Sequence, residues 1–143
     1  MDDEVLIDCG TGVGDLPFDA LRRIDHVFLT HAHLDHIASL PLLIDAVGEL
    51  RASPLTVHAT PETIRILHSH IFNWLVWPDF SAIPDRRQPF MRFQPMKLGE
   101  TVRLGAAAIT AFPAHHTVPT VAYCLDSGVG QLVFSGDTAY CLE

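Results

Sequence analysis

The segment 31–36, His-Ala-His-Leu-Asp-His, constrains this chain more than any other stretch of its sequence. It directly follows the apolar run 27–30, Val-Phe-Leu-Thr, which predicts a buried strand. Imidazole and carboxylate groups placed there are costly to bury without polar partners, and they are ligands that zinc, iron and manganese accept. The first two histidines are two residues apart, so at an extended strand end they point the same way. The Asp-His pair that ends the segment begins a helix.

One cation cannot use all four of these side chains together with ligands from elsewhere in the chain. The spacing within 31–36 therefore predicts two adjacent metal sites. A solvated, histidine-rich turn is the alternative interpretation.

Composition predicts a folded protein with a large core. Of the 143 residues, 48% are hydrophobic and 18% are charged, which argues against disorder. Nine Lys and Arg residues against 17 Asp and Glu residues give a formal net charge of −8. Binding to extended nucleic acid needs many cationic contacts with phosphates, so we expect no such partner. A small anionic substrate held by metal is compatible with this charge.

No apolar stretch reaches the roughly 18 residues that span a bilayer, and the acidic start lacks the basic region of a secretory signal. We therefore expect a cytoplasmic protein with no membrane partner. The three cysteines, Cys9, Cys124 and Cys141, form no CxxC pair, which is typical of a reduced protein. Zinc ligation by Cys9 or Cys141 is the alternative.

Hydrophobic periodicity predicts the order β-α-β-α followed by a run of strands, which favours an α/β layer structure over a doubly wound parallel sheet. The predicted strands cover 5–8, 24–30, 55–59, 90–94, 101–104, 107–112, 120–125 and 131–135. Pro41 predicts a kink or a late start in the first long helix. Thr60 and Pro61 predict the N-cap and first position of the next helix. Its predicted apolar stripe is Ile64, Leu67, Ile71 and Leu75.

The glycine-rich turn 10–14 lacks the full spacing of a dinucleotide-binding loop. We expect it to let the backbone pass close to the metal cavity. Two later segments place further ligand types just past predicted strands: His115 with His116, and Gly136-Asp137. The Asp137 carboxylate is able to bridge two cations. The alternative interpretation of Gly136-Asp137 is a surface turn.

The combination of HxHxDH, a later His and a later Gly-Asp resembles the metallo-β-lactamase superfamily of metallohydrolases. Within it, the chain is most similar to the class II 3′,5′-cyclic-nucleotide phosphodiesterases, which are related to the tRNA 3′-processing endonucleases. The narrower match is carried by 31–40, 70–79 and 116–119, and it continues through Ala122-Tyr123 to 134–138. The resemblance spans nearly the whole chain.

The resemblance implies a four-layer αββα sandwich, incomplete in this chain, with two divalent metals, zinc foremost and manganese or iron as alternatives. The implied ligands are His31, His33 and His116 for the first metal, Asp35 and His36 for the second, and Asp137 as a bridge. His116 is preferred to His115 because the family ligand directly precedes the Thr-Val-Pro block, which leaves His115 as a pocket or outer residue.

The chain departs from the family pattern at both ends. No histidine follows Asp137, where the family has another ligand, and the family's first hairpin has no counterpart before the strand 5–8. We therefore expect 1–143 to be a single domain that lacks its first hairpin and roughly its last third. The second metal site is then expected to be weakened, and the resemblance does not imply that this chain is active by itself.

The expected function is a 3′,5′-cyclic-nucleotide phosphodiesterase acting on a small nucleotide, cyclic AMP foremost, through a hydroxide that bridges the two metals. Asp35 is the expected catalytic residue, since it can orient that hydroxide or accept its proton. Alternatives are a ribonuclease Z-like or ester or thioester hydrolase of the same fold, and a truncated, inactive metal-binding module. A homodimer is compatible with the sequence.

Several other residues have less specific interpretations. His26, His58 and His68 are expected to be ordinary structural or surface histidines. Two interpretations are open for Asn73, Trp74 and Trp77. These residues either contact a nucleobase or pack a helix end on the core.

Overall fold

The structure is a computed structural model that describes residues 4–140. The strands are β1 (Glu4–Ile7), β2 (Ile24–Phe28), β3 (Leu55–Ala59), β4 (Met91–Pro95), β5 (Thr101–Leu104), β6 (Ala107–Pro113), β7 (Val121–Asp126) and β8 (Gln131–Phe134). The α-helices are α1 (Phe18–Arg23), α2 (Leu34–Ile37), α3 (Leu40–Val47) and α4 (Pro61–His70). Short 3₁₀ turns cover Thr11–Asp15 and Gly48–Leu50.

The strands form two four-stranded sheets, one parallel in the order β1-β2-β3-β4 and one antiparallel in the order β5-β6-β7-β8. In the parallel sheet each strand lies beside the next in sequence. Because parallel crossovers are right-handed, the connecting helices then all lie on one face of that sheet. The other face is left to the antiparallel sheet. The α/β layer prediction is confirmed, and the parallel sheet is wound in one direction only.

The helices pack on the parallel sheet through a cluster of buried side chains, here called the helix-side core. Its main members are Val27, Leu29, Leu40, Ile44, Val47, Leu55, Val57, Leu67, Phe72 and Met91. Alternate residues of one strand face opposite sides of a sheet. Val27 and Leu29 therefore face the helices, whereas Phe28 faces the antiparallel sheet.

The two sheets meet in a second cluster, here called the inter-sheet core. Its fully buried members are Phe28, Met96, Ile109, Ala111, Val121 and Tyr123. The hydroxyl of Tyr123 donates a 2.8 Å hydrogen bond to the carbonyl of Leu29, at the end of β2. This bond ties the antiparallel sheet to the segment that leads into 31–36.

Two histidines that were expected to be structural lie on the inner face of the parallel sheet. His58 is buried and its ring stacks on Phe28, with centroids 4.1 Å apart. His26 Nδ1 lies 3.0 Å from His58 Nε2. Burial, together with the neighbouring His26, lowers the pKa of His58 to about 4. His58 is therefore neutral near pH 7.

Helix boundaries follow the predicted signals at their starts but not at every end. α3 begins at Leu40 with Pro41 in its first turn, which confirms the late start. The Thr60 side chain caps α4 by accepting a hydrogen bond from the Thr63 amide. The predicted stripe is wrong at its end, because α4 stops at His70 and Leu75 is 91% exposed.

Asn73 explains the early end of α4. Its side-chain oxygen accepts hydrogen bonds from the amides of Leu75 and Val76, and its amide nitrogen donates to the Ser69 carbonyl. Such local side-chain bonds compete with helix continuation. The adjacent Trp74 adopts a φ of 67°.

Among residues 4–140, no helix combines the length and apolar character that crossing a bilayer requires.

Tyr123→Phe should lower the free energy of unfolding by about 1–3 kcal/mol, because it leaves the buried Leu29 carbonyl without its donor. Urea denaturation measures this change. Tyr140→Phe removes the same hydroxyl from a side chain that is 87% exposed, and should leave stability unchanged. Equal effects of the two substitutions would contradict the role given to the Tyr123 hydroxyl.

The low pKa of His58 predicts a pH dependence of stability. Between about pH 6.5 and pH 4, the unfolded chain takes up a proton at His58 that the folded chain does not, so stability falls as pH falls. His58→Gln should remove about 2–3 kcal/mol of the loss between pH 6.5 and pH 4.5, at about 1.4 kcal/mol per pH unit.

Urea denaturation at both pH values measures that difference. The exposed His70, changed to Gln, is the control and should keep the wild-type profile. A His58→Gln profile parallel to the wild type would show that His58 is not the group responsible.

Candidate metal centre

Four side chains from three separate segments meet at one edge of the sheets. His31 and His33 lie between β2 and α2, His116 lies in the loop after β6, and Asp137 follows β8. Each offers one ligand atom, and these four atoms all lie within 4.8 Å of one another. The predicted convergence of distant segments is therefore present in the fold.

A second group lies beside the first and shares Asp137 with it. Asp35, His36 and Asp137 offer ligand atoms that also lie within 4.8 Å of one another. His36 Nε2 is 3.3 Å from Asp137 Oδ1 and 3.5 Å from Asp35 Oδ2. The structure thus brings all six predicted ligand residues together, in two groups with Asp137 common to both.

Contacts within the first group are short. His116 Nε2 lies 3.3 Å from His33 Nδ1 and 3.9 Å from Asp137 Oδ2. The rings of His31 and His33 have centroids 4.6 Å apart, and those of His31 and His116 are 5.1 Å apart. Several imidazole nitrogens therefore face a common centre.

His31 carries the clearest sign that a ligand belongs at that centre. The residue is fully buried, and its Nδ1 lies 3.0 Å from the Thr30 hydroxyl. Its Nε2 is buried without a hydrogen-bond partner among the described residues. Buried polar atoms are rarely left unpaired, so a cation at Nε2 would remove a real cost.

The ionisation of His31 suits the same purpose. Burial foremost, then the neighbouring His36 and His33, lowers the pKa of His31. The neutral form is therefore favoured, and neutral imidazole is the form that binds metals.

Sequence reasoning missed Asp8, which organises the second group. Its buried carboxylate accepts hydrogen bonds from the amide of Thr30 at 2.8 Å and from the Thr30 hydroxyl at 2.9 Å. The carboxylate also lies 2.7 Å from His36 Nδ1. A carboxylate on one imidazole nitrogen fixes the ring and leaves the other nitrogen for a metal. Its position just past β1, like that of the histidines past β2, is the signal that could have found it.

Carboxylates dominate the electrostatics around His36. Burial disfavours its charged form, but the hydrogen bond that its Nδ1 donates to Asp8 and the charges of Asp8, Asp35 and Asp137 together raise its pKa. A centre surrounded by three carboxylates is favourable for cations.

The glycine-rich turn was predicted to let the backbone pass close to the metal cavity, and Gly10 lies against the backbone of α2. A Cβ added at Gly10 would lie 1.8 Å from the Asp35 carbonyl oxygen. The amide of Cys9 donates to the His36 carbonyl at 2.8 Å. The absence of a side chain at Gly10 therefore lets β1 approach the backbone that carries two predicted ligands.

Other candidate residues lie elsewhere. His115 belongs to neither group and lines a neighbouring cleft. Cys9 also belongs to neither, and burial followed by the charge of Asp8 raises the pKa of its thiol to about 12, so the zinc alternative is unsupported for Cys9. Cys141 lies outside the described residues.

The two tryptophans of the segment after α4 have different surroundings. Trp77 packs on the helix-side core, and Trp74 is 61% exposed. The segment joins the end of α4 to the start of β4, whereas His31 follows the end of β2. Trp77 therefore fits the packing interpretation, and a nucleobase contact by the exposed Trp74 stays a prediction.

Comparisons with known proteins agree with this arrangement. The beta-lactamase superfamily domain matches residues 3–143. A probable 3′,5′-cyclic-nucleotide phosphodiesterase of Yersinia pestis is 30% identical over 121 residues, covering 82% of this chain and 34% of that protein. A ribonuclease of Thermus thermophilus is 34% identical over 144 residues, covering 93% of this chain and 32% of that protein.

A solved structure shares the fold. The metallo-beta-lactamase fold protein YhfI of Bacillus subtilis superposes with a TM-score of 0.72 at 21% identity, covering 97% of this chain and 52% of that one. The chain spans about a third of the length of the two curated relatives.

Gly10→Ala should weaken divalent-metal binding, with added zinc as the probe, by about 10- to 100-fold, because the added methyl displaces the Asp35 backbone. This is the usual effect of disturbing the groups that support metal ligands. Titration with a zinc-competing chelator measures the affinity. Gly12→Ala is the matched control, since a Cβ there meets nothing within 4 Å. Unchanged zinc affinity in Gly10→Ala would refute the tight packing of this turn on α2.

Proposed function

This chain belongs to the beta-lactamase superfamily, and on that premise we propose that it is a metal-dependent hydrolase that cleaves phosphodiesters with two divalent cations. The observation that carries the proposal is the convergence of six imidazole and carboxylate groups in two clusters that share Asp137. The unpartnered Nε2 of the buried His31 supports it independently.

Two sets of side chains would hold the cations. We propose His31, His33, His116 and Asp137 for the first, and Asp35, His36 and Asp137 for the second. Mixed imidazole and carboxylate ligation suits zinc, which we propose as the resident metal, and manganese or iron accept the same donors.

Each protein group has a distinct task in this proposal. When bound, the cations supply activation of water and neutralise the charge of the phosphodiester. Asp35, whose side chain is 70% exposed, is reachable from solvent and accepts a proton from the attacking water at its carboxylate. Asp8 holds His36 in one orientation through the bond to Nδ1. This hydrolysis by an activated water needs no serine or cysteine nucleophile.

We propose a small nucleotide, cyclic AMP foremost, as the substrate. The similarity to the Yersinia phosphodiesterase supports this choice. The net charge of −8 also supports it, because docking of an extended nucleic acid relies on cationic surface.

A ribonuclease is the second candidate, because the Thermus ribonuclease is 34% identical over 93% of the chain. Assays of the purified chain on cyclic AMP and on a tRNA precursor separate the two candidates. Faster cleavage of the tRNA precursor would overturn the choice of a small nucleotide.

Removal of one predicted ligand tests the metal-dependent hydrolase directly. The purified chain should contain about two metal ions, and His33→Ala should lose tight metal binding and any hydrolysis of cyclic AMP. Elemental analysis by mass spectrometry gives the metal content, and product release gives the activity.

His68→Ala is the control, since His68 packs its ring on Phe93 away from both groups, and it should keep both properties. One metal per chain would indicate an incomplete second site. Equal losses in the two variants, or a folded chain without metal, would contradict the proposal.

A further inference from the structure

A cleft of about 630 Å³ opens beside the candidate metal centre. Three segments line it: the start of α4 at 60–62, the turn after β4 at 96–98, and the loop 114–121 that contains His116. We name it the Met96 cleft. His116 also belongs to the first ligand group, so the cleft adjoins the candidate metal centre.

The Met96 cleft has apolar walls and a polar rim. Met96 and Val121 are buried members of the inter-sheet core, and Val118 adds a further apolar side chain. Lys97, Glu62 and His115 add one cation, one carboxylate and one imidazole. A mainly apolar pocket with a few polar groups is typical of sites for small organic molecules.

Lys97 is the only lysine of the chain, and its ammonium is not engaged in an ion pair. Within residues 4–140, no carboxylate oxygen lies within 4.0 Å of it. Lys97 bonds to Glu100 through its backbone, since its amide donates to the Glu100 carboxylate and its carbonyl accepts from the Glu100 amide. Three of the arginines, by contrast, pair with acids: Arg22 with Asp19, Arg23 with Glu4 and Arg51 with Asp25. The Lys97 ammonium is therefore available to a bound molecule.

We propose that the Met96 cleft binds the nucleoside part of the substrate while the phosphodiester lies at the candidate metal centre. This inference rests on the proposed function, because it takes the bond to be cleaved as lying beside His116. Lys97 donates to acceptors of the base or sugar, and Glu62 accepts from a hydroxyl or an exocyclic amine.

The chemistry of the walls favours a nucleoside over other organic groups. A flat heterocycle presents apolar faces to Met96 and Val118 while its edge carries both donors and acceptors. An acyl chain carries no group that would pair with Lys97 or Glu62 at the rim. A second phosphate would meet the repulsion of the Glu62 carboxylate as well as the attraction of Lys97.

Acetylation of the single lysine tests this inference without any turnover. Acetic anhydride labels two amines in the purified chain, Lys97 and the α-amino group, and mass spectrometry measures both rates. AMP at twice its dissociation constant should slow labelling of Lys97 about threefold and leave the α-amino group unaffected. Inorganic phosphate at the same concentration should not protect Lys97. No protection by AMP, or equal protection by phosphate, would overturn the inference.

Substrate preference gives a second readout. Lys97→Ala should lower kcat/KM for cyclic AMP about tenfold more than for methyl 4-nitrophenyl phosphate, which has no nucleoside. Arg103 lies on β5 and lines a different cavity. Arg103→Ala therefore removes the same charge elsewhere and should leave the ratio of the two kcat/KM values unchanged. An unchanged ratio in Lys97→Ala would also overturn the inference.

The two readouts separate the two proposals. Protection of Lys97 by AMP in a chain that cleaves no phosphodiester would support the Met96 cleft and contradict the proposed function. Cleavage of cyclic AMP without protection of Lys97 would support the proposed function and contradict nucleoside binding in the Met96 cleft.

Discussion

The buried carboxylate of Asp8 is the interaction on which the arrangement of the candidate metal centre depends. An ionised carboxylate is costly to bury unless donors surround it, and here the Thr30 amide, the Thr30 hydroxyl and His36 Nδ1 do so. These bonds join the end of β1 to the end of β2 and to α2. Asp8 reaches them with a φ of 60°, a conformation uncommon outside glycine. Thr30 extends the connection, since its hydroxyl contacts His31 Nδ1 and its carbonyl accepts from the Val121 amide of the antiparallel sheet.

Topology explains why residues so distant in sequence can meet. The carboxyl ends of parallel strands lie at one edge of a sheet, which is where open α/β sheets bind their ligands. The residues after β1 and β2 lie there, namely Asp8 and the segment 31–36. The antiparallel sheet contributes from the other side through the loop after β6 and the turn after β8. A Cβ at Gly136 would lie 3.0 Å from the Thr30 side chain, so this turn packs directly on the segment that follows β2.

Features with a local signal were predictable from the sequence. The HxHxDH spacing predicted two neighbouring groups of ligand types, and Pro41 and Thr60 predicted two helix starts correctly. The family and its fold were likewise recognisable from the motifs. The end of α4 was not predictable, because the apolar period of the sequence continues to Leu75, whereas the side chain of Asn73 bonds to the backbone and ends the helix earlier. Asp8 was missed because a single carboxylate after a strand has no periodic signature. The Met96 cleft was out of reach, since its three segments are brought together only by tertiary packing.

We propose that two cations bind between the side chains of these six residues. Crystals grown with zinc, measured at the zinc absorption edge, test it most directly. We expect two anomalous peaks on either side of Asp137, one about 2.0–2.1 Å from His31 Nε2 and one at the same distance from His36 Nε2. Zinc peaks at other positions only, or a centre without anomalous density, would contradict it.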